Sequence, residues 1–123
     1  ANHTHYVDIT DTIDIKIKAF QACTLEAISI GHMSLHIGQY TPKMGSPIDL
    51  KSACKIVGAD FDYISSIKDD KERWYQYGLK LFDWELRRRG IRRGTECGVP
   101  YAEAYRMWHP ANWHSPYKLL PWN

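Results

Sequence analysis

The stretch from Lys71 to Arg89 limits the fold most, because its apolar face is too broad to stand in water. Tyr75, Leu79, Phe82 and Leu86 recur at i, i+4, i+7 and i+11, one side of an α-helix. Trp74, Leu81 and Trp84 widen that side, while Arg73, Gln76, Lys80, Asp83 and Arg87 make the opposite one polar. Asp83–Arg87 and Glu85–Arg89 are i,i+4 pairs of opposite charge. The pattern predicts a helix from about 71 to 89, with Asp60 as an alternative start and Gly90 and Gly94 as its break. Other elements must cover it.

The sequence provides few obvious ones. Val7 and Ile9 alternate with Tyr6 and Asp8, which predicts a short strand over 5–10. A helix follows directly, with Asp11 and Asp14 in its first turn. Ile13, Ile17, Phe20, Cys23 and Ala27 give it one buried face, Asp14–Lys18 pairs across the other, and Gly31 ends it. Residues 31–48, rich in Gly and Pro, read as loop with a short turn near Met33 to Ile37. Asp49 is placed to cap a short helix through Leu50, Ala53, Cys54 and Val57, with Gly58 as its stop. From Val99 to Met107 the chain reads as strand. Beyond it, Pro110, Pro116 and Pro121 favour an extended arm.

Composition excludes several classes. At 123 residues the chain suits one domain. Its 44% hydrophobic and 24% charged content argues against disorder, and no apolar stretch is long enough to span a membrane. A net charge of +2 does not by itself demand a polyanion. Cys23, Cys54 and Cys97 are odd in number and lack a CxxC, so neither a full disulfide framework nor a Cys-type zinc motif is expected. A reducing, cytoplasmic setting is the simplest reading, with no signal peptide seen. The first residue is Ala1 rather than Met, as in a processed, engineered or fragmentary chain.

Two segments resemble a known family when taken in order. The first is Tyr6-Val-Asp-Ile-Thr-Asp followed by Ile13-Asp-Ile-Lys-Ile-Lys-Ala-Phe20. The second is Arg89-Gly-Ile-Arg-Arg-Gly94 followed by Gly98-Val-Pro-Tyr-Ala-Glu-Ala-Tyr-Arg106. Together they resemble the C-terminal part of the LmbE/PIG-L family of zinc-dependent N-deacetylases, over roughly residues 5–26 and 71–107. The resemblance implies an α/β chain forming the C-terminal part of a Rossmann-like three-layer fold. It implies a Zn2+ ion held by an N-terminal His-Pro-Asp-Asp motif and a later His. A zinc-bound water then attacks the acetamido carbonyl of an amino sugar or glycoconjugate, with a neighbouring Asp as base. His109-Pro110-Ala111-Asn112 is the nearest string here and lacks the carboxylates. The implied ligands and catalytic residues therefore lie outside this chain, in a separate N-terminal half or a removed segment. Cys23-Thr24-Leu25-Glu26 stands where relatives often have His-x-Ser-Gln, and Pro100 is also unusual.

Within the chain, the substrate-binding candidates are Glu103, Tyr101, His36 and Arg106. Tyr101, Glu103 and Tyr105 share one face of a strand, and a carboxylate between two rings is a natural partner for an Arg. His32 and His36, at i, i+4, are the only weak metal candidates. A loop over a substrate pocket is the preferred reading of their segment. Arg87, Arg88, Arg89, Arg92 and Arg93 could contact phosphate or RNA, but a solvated helix end is preferred, so nucleic acid is not expected. Cys23 and Cys54 read as core residues, and Cys97 as a nucleophile only if a His stood beside it.

The expected domain layout is 1–107, with a loop or insertion at about 31–58, and an aromatic tail at 108–123. Trp108, His109, Trp113, His114, Tyr117 and Trp122 could form a sugar-stacking wall. The preferred reading is an arm packed on another segment or subunit. The 13% aromatic content fits surface meant for a missing half or a like subunit. The expected partners are that N-terminal half, a homo-oligomer and a sugar-type small molecule. The rival reading is a non-catalytic binding or assembly module.

Overall fold

The computed structural model describes residues 5–37 and 48–106. The predicted tail at 108–123 and the middle of the predicted loop lie outside them. Among the described residues the fold is mixed α/β and mostly helical, about 70%, with one small antiparallel sheet. In order, the elements are β1 (His5–Asp8), α1 (Ile13–Gln21), α2 (Thr24–Ile37), α3 (Leu50–Val57), α4 (Phe61–Ser66), α5 (Asp70–Cys97) and β2 (Ala102–Tyr105).

Helix α5 is the axis of the molecule. Its 28 residues span about 42 Å at the usual rise. It begins where Asp69 accepts a hydrogen bond from the Glu72 N–H, with Asp70 and Glu72 adding negative charge to the first turn. It runs through Gly90 and Gly94, contrary to the expected break, and stops at Gly98 in the left-handed conformation (φ 84°). The two inner glycines are packing positions. A Cβ at Gly90 would stand 2.9 Å from the Tyr101 ring, and one at Gly94 would stand 2.3 Å from the Val99 carbonyl. Missing side chains let the returning chain lie against the helix.

A second correction concerns α1 and α2, expected as one helix ending at Gly31. The chain breaks at Ala22–Cys23 instead, and α2 continues through Gly31 to Ile37. The break has a physical reason. Ile13 and Ile17 on α1 face a small core with Ile9, Leu86 and Tyr101. Ala27, Ile30 and Leu35 on α2 face a larger core with Ala53, Cys54, Ile64, Tyr77, Leu81 and Phe82. One straight helix cannot serve both. Cys23, predicted as a core residue, is consequently exposed, and Phe20 is 43% exposed; only Cys54 of the pair is buried. Burial also pushes the Cys54 thiol pKa up.

Helices α2 and α5 cross more closely than side chains allow. A Cβ on Gly31 would stand 2.2 Å from the Trp74 carbonyl, and one on Gly78 would stand 1.9 Å from the Ala27 carbonyl. The start of the predicted loop at 31–48 is helical instead, through Ile37, and within the expected insertion at about 31–58 the predicted short helix is present over Leu50–Val57. In α3 the expected devices are present: Asp49 accepts from the Ser52 N–H at 2.9 Å, and Gly58 adopts φ 74°. Asp60 caps a separate short helix, α4, rather than opening α5. On α5 the deepest residues are Tyr77, Leu81, Phe82 and Glu85, so the buried face is rotated slightly from the predicted stripe. Tyr75, Leu79, Trp74 and Trp84 ring the larger core, half-buried.

Strands β1 and β2 bring the two ends of the described chain together. His5 pairs with Tyr105, Tyr6 with Ala104, Val7 with Glu103 and Asp8 with Ala102. The Ile9 N–H continues the ladder to the Tyr101 carbonyl at 3.0 Å. Ile9 then drops into the small core, whereas Val7 stays 50% exposed. No described helix is long and apolar enough to cross a membrane.

Candidate functional site

The C-terminal half of α5 is a stripe of arginines over a buried acid. Glu85 is only 5% exposed, and a buried carboxylate requires partners. It has two from the next turn. Arg88 donates through Nη2 to both its oxygens at 2.9 Å, and Arg89 donates through Nε to Oε1 at 2.7 Å. Arg88 also lies over the Trp84 ring, 5.0 Å from its centre. The predicted Glu85–Arg89 pair is therefore real, and it anchors the arginines rather than decorating a solvated face.

The other cations divide into two groups. Arg87 points to the α1 side, donating to Asp14 at 2.6 Å and to Asp83 at 3.1 Å. Asp14 thus reaches across to α5, not along α1 to Lys18. The hydrogen bond to Asp14, with one that Arg87 donates to Tyr101, holds the Arg87 pKa above the ordinary guanidinium value. Arg93 donates to Glu96 at 2.6 Å, and Glu96 also accepts from the Tyr6 hydroxyl at 2.8 Å, which raises the Tyr6 pKa. Arg92 makes no hydrogen bond or ion pair among the described residues.

Strand β2 supplies the opposite wall. Glu103 was expected to pair with an Arg between two rings. It pairs instead with Lys16 of α1 and accepts the Tyr105 hydroxyl. The Lys16 hydrogen bond, then that from Tyr105, holds the Glu103 pKa below the usual carboxylate range. The same contact raises the Tyr105 pKa.

Between these walls runs an open groove of about 630 Å³, bounded by α1, the end of α5 and β2. Five cations line it, Lys16, Arg88, Arg89, Arg92 and Arg93, against two carboxylates, Glu85 and Glu103. Phe20 and Tyr105 add aromatic surface, and Gly90, Ala102 and Ala104 keep the space open.

Of the four substrate-binding candidates, only Glu103 lines this groove, together with Arg88, Arg89, Arg92 and Arg93 of the arginine cluster. Tyr101 is half-buried against the small core and Gly90, with its carbonyl in the β-ladder. Arg106 is exposed just past β2 and outside the groove. His36 lies far away, by the N-terminal half of α5. There His32 and His36 do face one way, with ring centres 4.7 Å apart, and both stand edge-on to Trp74. Among the described residues no three His, Cys, Asp or Glu side chains gather to hold a metal. Cys97 is exposed at the end of α5. The sequence reading missed Lys16, whose partner lies 87 residues away, a distance no periodicity reveals. The chain matches no family model, no curated protein and no solved structure.

Proposed function

We propose that this chain is the C-terminal portion of a zinc-dependent N-deacetylase of the LmbE/PIG-L type, acting on an acetamido group of an amino sugar or glycoconjugate. One observation carries the reading. The two segments that resemble the family, far apart in sequence, lie side by side, with Val7-Asp8 laddered to Ala102-Glu103. The helices that accompany each segment, α1 and α5, pack behind them around Ile13, Ile17 and Leu86. In this reading the two strands are the end of a larger Rossmann-like three-layer sheet. Zinc, its ligands and the base belong to an N-terminal half carrying His-Pro-Asp-Asp. This chain's residues then close the pocket rather than perform the proton transfers.

The test is intact-mass and metal analysis of everything that co-purifies with the chain, alongside release of acetate from N-acetyl amino sugars. The expected result is a second polypeptide or segment with that motif, about one zinc per complex, and acetate release abolished by chelation. A stably folded chain alone, without zinc or hydrolysis, overturns the reading.

A second reading, a non-catalytic assembly module, is favoured by large apolar side chains left exposed on β1 and α1. On β1 Tyr6 and Val7 are exposed, and on α1 Ile15 and Phe20. In that case a partner or a second copy of the chain forms without zinc. RNA binding is weakly supported, because a net charge of +2 does not by itself demand a polyanion.

A further inference from the structure

We infer that the groove between α1, the end of α5 and β2 binds a phosphate monoester, with Arg92 as the central contact and Arg89 and Arg93 beside it. The first ground is charge balance within a concave surface. Each carboxylate of the groove already has its own cations: Glu85 has Arg88 and Arg89, and Glu103 has Lys16. Arg93 is tied to Glu96, which does not line the groove. Arg92 adds a charge that nothing among the described residues offsets. A cleft lined by one excess sign focuses its field on small ions of the other.

The second ground is the arrangement of donors. Arg89, Arg92 and Arg93 are spaced i, i+3 and i+4, so one helical face presents all three. Arg89 spends only Nε on Glu85, and Arg93 spends Nη1 on Glu96. Both guanidinium groups are thereby fixed in direction while retaining further N–H donors. A pre-set cluster of planar forks suits a tetrahedral dianion better than a single carboxylate, which one fork satisfies. The third ground is size and lining. A volume of about 630 Å³ exceeds what a bare anion needs and falls in the range of small-molecule sites. The rings of Phe20 and Tyr105, 43% and 49% exposed, give the organic part of the ester an apolar surface. The phosphate can come from a soluble ester or from a lipid headgroup.

This proposal is independent of the deacetylase reading, since neither zinc nor acetate release enters its test. Titration calorimetry on the full chain uses a hexose monophosphate, the unphosphorylated hexose, inorganic phosphate, and vesicles containing phosphatidylinositol 4-phosphate. The expected result is saturable one-to-one binding of the hexose monophosphate, competed by inorganic phosphate and absent for the plain hexose. Arg92→Ala should weaken it at least about tenfold, the scale of one lost charge-assisted contact, with an unchanged melting temperature. Lys71→Ala, which removes the same charge at the far end of α5, should leave binding within about twofold. Binding to the vesicles as well would support the proposal with a lipid as the source. Binding to the soluble ester alone would support it with a metabolite. No saturable binding, or equal weakening by Lys71→Ala and Arg92→Ala, overturns it. So does steeply salt-dependent RNA binding without phosphate-ester binding, which would make the arginines a polyanion surface.

Discussion

The two halves of α5 do different work with the same helix. Its first half, around Tyr77, Leu81 and Phe82, is sealed by α2, α3 and α4 into an apolar core. The polar atoms admitted there satisfy each other, as Ser34 and the Tyr77 hydroxyl do at 3.3 Å. Its second half meets only a thin layer of α1 and two short strands, with Ile9, Ile13 and Ile17 as the whole buried cluster. Ion pairs make up the difference there: Glu85 with Arg88 and Arg89, Asp14 with Arg87, and Glu103 with Lys16. A closed apolar end gives rigidity, and a charged, half-covered end leaves room for a ligand or another chain.

The comparison breaks most readily through side-chain deletion. Leu81→Ala should lower the unfolding free energy by about 3–4 kcal/mol, because Leu81 is fully buried among helices that cannot close the gap. Ile17→Ala, in the thinner core, should cost about 2 kcal/mol, since that edge can relax. Urea denaturation of both variants gives the order directly. A larger loss at Ile17 would mean that the sheet end is the true centre of stability.

Next in size is the helix crossing. Gly78→Ala should cost about 2–3 kcal/mol, because the new methyl meets the Ala27 carbonyl and α2 must move away. Gly58→Ala has open space around it and only a left-handed backbone to object to, for about 1 kcal/mol. If the two substitutions proved equal in thermal melts, the close approach of α2 to α5 would not be what the glycine serves.

Much of this was legible in the sequence where the cause is local. The α3 cap at Asp49 and stop at Gly58, both strands and the Asp83–Arg87 pair follow from neighbours within a turn. The failures are tertiary. Gly31, Gly90 and Gly94 read as breaks because sequence does not show which chain passes over them. The bend at Ala22–Cys23 exists because α1 and α2 serve different cores, so Cys23 left the face its spacing assigned. In the candidate site, the shared face of Glu103 and Tyr105 was readable from strand alternation. The joining of that face to Lys16 and the arginine stripe was not, being a matter of how α1 and α5 flank β2.

The charged end can be probed at Glu85. Glu85→Gln keeps the shape and removes the charge, and should destabilise by about 1–2 kcal/mol. The cost stays below that of a fully buried pair, because Arg88 and Arg89 are 49% and 62% exposed and can turn to water. Calorimetric melts of the variant at low and high salt sharpen the point. A loss above that of Leu81→Ala would show the ion pairs, not the apolar end, holding α5 in place.

The smallest effect is the most diagnostic of the groove. Glu103 has a folded pKa below its unfolded value, so its ionised form favours the folded state. Its contribution is fully present above the unfolded carboxylate value of about 4.3 and fades as the pH falls through the lower folded value. The pair with Lys16 is partly exposed, so the contribution stays under about 1 kcal/mol. Melting temperatures from pH 7 to 3 should fall less steeply at the acid end for Glu103→Gln than for the parent chain, and Lys16→Met should reproduce part of that change. If both variants followed the parent slope, Glu103 would be a surface carboxylate that merely lies near Lys16. The wall of the groove would then be free to move, and any ligand that bound there would have to order it first, at a cost in affinity that the arginine side does not impose.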